Sequence, residues 1–381
     1  MVAKPNAVNP RLFSREWRIA RQHKFDFLIF FVTGQCNARC HHCFYWNNLG
    51  PDHVGLSLEK IEKTARSMPP FRTLLLSGGE PTLRKDLPQL IDIFRRHNGI
   101  ETVDIPTNGL LPDRIAGLAQ EVLANNPSLH QVSFNLSIDG FADTHDQIRG
   151  VPGNFERSLA TASQLRELKA EYPQLRVVVN SVICADNYQE IAEFAQHIHD
   201  QELFDNHFFE IIRGSPPEER IRDVPPHALK VIYDRILPIQ ESYLRRNKWA
   251  KYSFPLTLWR QVADMGRLIQ QYRTQWQVHS TDAKWSFPCQ AGEAIAVIDY
   301  NGDVRVCELR DAAVNLSQHD YDFSRVLDTP IMLSERTAAK SHACDCTHVC
   351  FLTTSYHQAL SARLWSAPWR YLRYRLSGKW D

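Results

Sequence analysis

Three cysteines, Cys36, Cys40 and Cys43, fall within one eight-residue stretch, Cys36-Asn37-Ala38-Arg39-Cys40-His41-His42-Cys43. A second group, Cys289, Cys307, Cys344, Cys346 and Cys350, lies toward the other end, and only Cys184 stands between the two. Nine cysteines in 381 residues are too sparse for a disulfide scaffold, and the number is odd. In a reducing compartment, clustered thiols are more often metal ligands. Three soft ligands suit zinc or an iron–sulfur cluster. A structural zinc wants a fourth protein ligand, which His41 or His42 could supply. A 4Fe–4S cluster on three cysteines leaves one iron open to a substrate or cofactor. Spacing alone leaves both open.

Composition bounds the classes that could carry such a site. The chain is 43% hydrophobic and 23% charged, enough apolar material for a buried core, which excludes disorder. Its 44 basic and 43 acidic side chains argue against a dedicated duplex-binding protein, so no stable nucleic-acid partner is expected. No apolar run approaches the roughly 18 residues of a spanning helix. The first residues, Met1-Val2-Ala3-Lys4-Pro5-Asn6, lack the apolar stretch of a secretory signal, and a cytoplasmic location is the default expectation.

Strand-like and helix-like segments alternate after the first cysteine group. Strands are expected at 25–33, 73–76, 102–105, 131–138, 176–183 and 207–212. Helices are expected at 58–68, with Ser57 as N-cap, and at 87–94, 115–123, 155–168 and 188–199. Six such units with continuous apolar strands imply a parallel sheet covered by helices. Gly34, Gly78-Gly79, Asn108-Gly109 and Asp139-Gly140 each follow a strand, so glycine and polar residues collect on one rim, the active face of a βα barrel. Pro216-Pro217 and Pro225-Pro226 break the alternation. The span 228–277 reads as mostly helical, and 295–306 as a hairpin turning at Asn301-Gly302. Cys184 reads as a buried inert thiol, and His197 and His199 as helix-surface residues.

The triplet matches the CxxxCxxC pattern of radical S-adenosylmethionine (SAM) enzymes, and the chain resembles that family further. Gly78-Gly79-Glu80-Pro81 follows the second strand, Thr107-Asn108-Gly109 the third, and Ser137-Ile138-Asp139-Gly140 the fourth, in the family's order. The resemblance covers about residues 25–213. One departure is His42, where the family often has an aromatic residue. The resemblance implies an α/β fold, a partial (β/α)6 TIM-like barrel. It implies that Cys36, Cys40 and Cys43 hold a 4Fe–4S cluster whose fourth iron is chelated by SAM. Gly78 and Gly79 would let backbone approach the cofactor, and Glu80 or nearby carbonyls would accept from the SAM ammonium. Asn108 and Ser137 become candidates for the ribose or methionine, and Arg149 for the carboxylate. Against these stand a turn role for Asn108 and a surface salt bridge for Arg149. A reduced cluster, fed by a donor such as flavodoxin or ferredoxin, would cleave SAM to a 5′-deoxyadenosyl radical that takes a hydrogen atom from substrate.

The later cysteines resemble the SPASM/Twitch extensions of the same family, with Gly302 and Cys307 as the glycine-x4-cysteine element. A full SPASM domain needs a further downstream cysteine, and none follows Cys350. The resemblance therefore implies a small cysteine-rich α+β domain with one auxiliary 4Fe–4S cluster. Cys289, Cys307 and Cys350 are expected as ligands, with Cys344 or Cys346 as the fourth. A four-cysteine zinc site is the alternative. The expected divisions are a 1–24 extension, a 25–214 core, a 215–284 helical linker region, a 285–352 auxiliary domain and a 353–381 tail.

That tail interleaves Arg363, Arg370, Arg373, Arg375 and Lys379 with Trp365, Trp369, Tyr371 and Tyr374. It reads either as a peripheral membrane contact on the inner face or as a helix packed on the barrel, with Pro368 weakening continuity. Three functions are carried forward: a radical enzyme acting on a small-molecule biosynthetic intermediate (a sugar or lipid-linked species, for example), a maturase of a ribosomally made peptide, and a zinc-stabilised binding protein. With only about 24 residues ahead of the first strand, the leader-binding domain many maturases carry is not expected, which weighs against the maturase reading.

Overall fold

The first strand, β1 (Phe27–Thr33), is FLIFFVT, and every residue after Phe27 is buried. An element apolar on both faces belongs at the centre of a covered parallel sheet. The computed structural model describes residues 25–247, 256–281, 283–342, 344 and 346–380, and β1 lies inside one nine-stranded sheet. The 1–24 extension falls outside the described residues.

Five strands run parallel to β1 on one side: β2 (Thr73–Gly78), β3 (Thr102–Thr107), β4 (Gln131–Ser137), β5 (Leu175–Ile183) and β6 (Asn206–Ile211). Each pairs with its predecessor in the chain, as sequential strands commonly do. The connecting helices are α1 (Leu58–Ser67), α2 (Leu87–Asn98), α3 (Pro112–Asn125), α4 (Ala142–Arg149), α5 (Asn154–Leu168) and α6 (Ile191–Asp200). The result is the open partial barrel expected. Ser57 caps α1, its side chain accepting from the Lys60 amide. The short α4 was not anticipated; its eight residues bury only His145, Ile148 and Arg149, too few apolar positions to show a period. The helical span after the barrel is two elements, α7 (Pro226–Asn247) and α8 (Leu256–Thr281).

The core is built from the strands' inner rows. Leu28, Leu74, Val103, Val132, Phe134 and Val177 are fully enclosed, and Phe30 meets Phe94 of α2 edge to face. Cys184 is buried, and burial pushes its thiol up to about 12, as befits an inert packing residue. His197 and His199 sit in the last turn of α6.

The hairpin forms as expected, from β7 (Ile295–Ile298) and β8 (Asp303–Arg305), with Gly302 at φ +91° in the turn. A two-residue β9 (Val314–Asn315) follows it. β7 runs parallel to β1, with Phe27 opposite Ile295 and Phe30 opposite Ile298. The cysteine-rich segment therefore shares the core's sheet. Beyond it come α9 (Phe323–Leu327), α10 (Pro330–Lys340), α11 (Val349–Gln358) and α12 (Ala367–Ser377). Pro368 does not break the last segment. A π-helical turn, Ala362–Ser366, precedes it, and the proline sits in the first turn of α12 where its missing N–H costs nothing. α12 lies close on α8, because a Cβ at Gly266 would meet the Ala367 carbonyl oxygen at 2.7 Å. Among the described residues, no helix is long and apolar enough to cross a membrane.

Cutting the chain after residue 284 would leave the β1 edge unpaired, an invitation to aggregation. That truncation is expected to aggregate or to melt several degrees below the full chain. A monomeric fragment with the full-length melting temperature, by size exclusion and thermal circular dichroism, would contradict the shared sheet.

Candidate active site

The cysteine triplet occupies the loop leaving β1, and the loop after β2 lies directly upon it. The Gly79 amide donates to the Thr33 carbonyl at 2.8 Å, and the Glu80 amide to the Gln35 carbonyl at 2.8 Å. A Cβ at position 78 would sit 2.1 Å from the Thr33 oxygen, and one at 79 would sit 2.1 Å from the Gln35 oxygen. Gly78 also holds φ +121°. In this structure both glycines are demanded by the approach of one loop to another.

Pro81 then opens a short 3-10 turn, Pro81–Leu83, capped by Glu80. One Glu80 oxygen accepts from the Thr82 amide at 3.1 Å and the Thr82 hydroxyl at 2.6 Å. The other accepts from the Asn108 amide at 2.7 Å. Burial raises the Glu80 pKa while these donors oppose the rise. Asn108 continues the chain of contacts, donating from Nδ2 to Asn37 Oδ1 at 2.7 Å and accepting from the Leu110 amide at 3.1 Å. It is a turn residue and also a link from the third loop to the cysteine loop.

Arg149 is 8% exposed, which removes the surface salt bridge considered from sequence. Its Nε lies 2.7 Å from Asp139 Oδ2, and its Nη1 lies 3.7 Å from Cys40 Sγ. The end of α4 docks on the cysteine loop through the His41 amide to the Ile148 carbonyl at 2.8 Å. His42, where an aromatic residue was anticipated, is 8% exposed with Nε2 3.8 Å from Asp139 Oδ2. Burial lowers its pKa to about 4, so at neutral pH it is an uncharged ring.

Cys36, Cys40 and Cys43 line one cavity together with Gly78, Gly79, Glu80, Pro81, Asn108, Ser137 and Arg149. Burial pushes the Cys36 thiol up to about 12 and the Cys43 thiol up to about 11. It raises Cys40 as well, with Arg149 opposing. These thiols would ionise only against a cationic group, which an iron–sulfur cluster or a metal supplies. Among the described residues, no three His, Cys, Asp or Glu side chains close on a single point as ligands of one ion do.

Two lining residues were missed. Asn180 of β5 stands beside Ser137 in the strand register, and its buried Oδ1 accepts no hydrogen bond among the described residues. A lone amide in the run Val177-Val178-Val179-Asn180 was the available signal. Arg213, just beyond β6, stacks on Phe44 of the cysteine loop with its guanidinium 4.9 Å from the ring centre. It pairs with Glu210 and, at 2.9 Å, with Glu308, whose Oε1 lies 2.8 Å from His348 Nε2. Burial would raise the Glu308 carboxyl, but His348 and Arg213 hold it down to about 2. This ionic chain ties the barrel rim to the segment carrying Cys307 and Cys350.

In that segment Cys289 and Cys307 are each 8% exposed. Burial raises the thiols of Cys289, Cys307, Cys346 and Cys350. Neighbouring cysteines add to the effect: Cys344 at Cys289, Cys346 and Cys289 at Cys307, and Cys289 and Cys344 at Cys346. At Cys350 the chief additions are the carboxylates of Glu210 and Glu308. Cys350 thus lies within electrostatic reach of the barrel rim.

Residues 30–198 match the family described as the radical SAM superfamily. The chain is 37% identical over 131 residues to an Fe-coproporphyrin III synthase of Methanosarcina barkeri, covering 34% of this chain and 31% of that one. It is 32% identical over 167 residues to an AdoMet-dependent heme synthase of the same organism, covering 42% of this chain and 44% of that one. The chain thus spans less than half the length of these curated relatives. Among solved structures, anSMEcpe with bound AdoMet aligns at a TM-score of 0.58 and 16% identity, covering 93% of this chain and 96% of that one. Streptococcus suis SuiB bound to its precursor peptide SuiA aligns at 0.54 and 14%, covering 96% and 83%. These two likenesses are of fold.

Replacing Asp139 by Ala would strand Arg149 as an uncompensated buried charge. A loss of about 3–5 kcal/mol is expected in urea unfolding. A loss within the surface-substitution range of about 0.5 kcal/mol would contradict the pairing.

Proposed function

We propose, from its membership of the radical SAM superfamily through residues 30–198, that this protein reductively cleaves SAM and takes a hydrogen atom from a small-molecule biosynthetic intermediate. The observation that carries the reading is the shared cavity: three thiols of one loop facing the ends of β2 to β5. The bound cluster and SAM would supply methionine and a 5′-deoxyadenosyl radical after one electron arrives from a donor such as flavodoxin or ferredoxin.

The chain's own part is binding, orientation and exclusion of water. Cys36, Cys40 and Cys43 would bind three irons as thiolates, with the Arg149 guanidinium beside Cys40 favouring the ionised form. The backbone carbonyls around Gly78 and Gly79 would accept from the SAM ammonium. Glu80, engaged with Thr82 and Asn108, would brace the loops that present them. Arg149 is turned to Asp139 and would reach the SAM carboxylate only at the expense of that ion pair. Ser137, Asn108 and Asn180 would hydrogen-bond the ribose or methionine. Phe44, Pro106 and Val182 give the cavity apolar walls that limit water.

The small-molecule reading draws support from relatives named as synthases of heme and Fe-coproporphyrin III. A peptide substrate is the second reading, favoured by the fold-level likeness to peptide-bound SuiB. For the later cysteines we propose one auxiliary four-iron cluster held by Cys289, Cys307 and Cys350, with Cys344 or Cys346 as the fourth ligand.

Changing Cys36, Cys40 and Cys43 to Ala is expected to abolish 5′-deoxyadenosine formation while sparing the auxiliary iron; retained SAM cleavage would refute the assignment. Changing Cys289 and Cys307 together should remove about four irons per chain. Cys350→Ala should remove the same iron, and unchanged iron content would refute the auxiliary site. Zinc without labile sulfide in anaerobically purified protein would end the enzyme reading.

A further inference from the structure

Three buried N–H groups belong to residues that line a cleft apart from the cysteine cavity, and among the described residues none has an acceptor. Arg273 of α8, with Arg370, Arg373, Ser366, Trp369 and Trp380, lines a cleft of about 210 Å³ between α8 and the C-terminal helix. The Arg273 Nε, Arg370 Nε and Trp380 Nε1 atoms are buried and make no hydrogen bond among the described residues. Trp380 itself is only 2% exposed. Burial lowers the pKa of Arg370, and its neighbours Arg273 and Arg373 lower it further, to about 10. Cations gathered this closely, with unanswered donors, fit an oxyanion.

The helix beside the cleft presents a second feature. Ala367 and Tyr371 face inward, where Gly266 permits close contact. Trp365, Trp369, Leu372 and Leu376, spaced four, three and four residues apart, point outward at 78%, 67%, 49% and 80% exposure. Leu364 and Leu360 extend the row at 65% and 60% exposure. One face of the helix is thus packed, and the opposite face is an apolar ridge rather than a polar one. Arg373 and Lys379 are exposed near it, while Arg375 pairs with Glu241 at 3.2 Å. Within residues 353–381 the single acidic side chain is that of the terminal Asp381.

We propose that the C-terminal helix docks on an anionic phospholipid bilayer, with the ridge in the acyl boundary and a lipid phosphate in the arginine cleft. Exposed tryptophans beside arginines suit the interfacial zone, where apolar area and attraction to anionic headgroups add. Charge complementarity favours a negatively charged membrane over a second copy of this chain, which would bring arginines against arginines. The surface involves no residue assigned to the cavity of the cysteine triplet, so the inference stands or falls apart from the enzyme reading.

The test is co-sedimentation of the full chain with vesicles of phosphatidylcholine alone and of phosphatidylcholine with equimolar phosphatidylglycerol. Binding is expected to the second, with partitioning weaker by roughly tenfold or more for the neutral vesicles, at raised salt, and for Arg273→Gln with Arg370→Gln. A Trp365→Ser, Leu376→Ser variant should also lose binding while keeping its circular dichroism spectrum. Absence of binding to the anionic vesicles, or equal binding by the variants, would overturn the proposal. So would saturation of the cleft by inorganic phosphate without vesicle association, or a dimer that the ridge variant dissolves in place of membrane binding.

Discussion

The Glu80 carboxylate is enclosed by protein, and the donors it meets are neutral amide and hydroxyl groups of Thr82 and Asn108. A carboxylate in that position is worth keeping only if each of its hydrogen bonds is made, since charged acceptors left bare inside a protein are costly. Making those bonds fixes the spacing between the ends of β2 and β3. Asn108 then reaches Asn37, and the glycines at 78 and 79 let the second loop lie against Thr33 and Gln35. The cysteine loop is therefore positioned by its neighbours, with its own residues left to face the cavity. A cluster site of this kind needs such support, because the thiols themselves are pushed toward their protonated forms by burial.

A second set of contacts runs from the rim to the C-terminal part. Arg213 joins Phe44, Glu210 and Glu308, and Glu308 joins His348. Tyr45 of the cysteine loop donates to Asp299 at the end of β7. With β7 continuing the sheet from β1, the two cysteine groups rest on one rigid framework. Buried ion pairs contribute little net stability when formed and cost much when half is removed, so their effect here is to fix one arrangement of the two regions.

Much of this was legible in the residues. β1 is a continuous apolar run and the other five strands mix buried with half-buried or exposed positions, yet the strand ends differ from expectation by two residues or fewer. The rim motifs were visible as glycine and asparagine punctuation after strands. What composition could not show was direction. Arg149 read equally as a surface charge or a ligand, and only the fold turns it toward Asp139 and Cys40. Arg213 carried no pattern at all, since its partners lie in Glu210 beside it and in Glu308, nearly a hundred residues on. The tail showed its amphipathic spacing, but Pro368 read as an interruption because the π-helical turn that accommodates it has no period to read.

The central claim, a cluster in the triplet with SAM on its open iron, is tested most directly by electron paramagnetic resonance of the anaerobically reconstituted, reduced protein before and after SAM is added. The account predicts a reduced-cluster signal whose g-values shift on addition, accompanied by release of 5′-deoxyadenosine. A spectrum that does not change, with the nucleoside never formed, would contradict it.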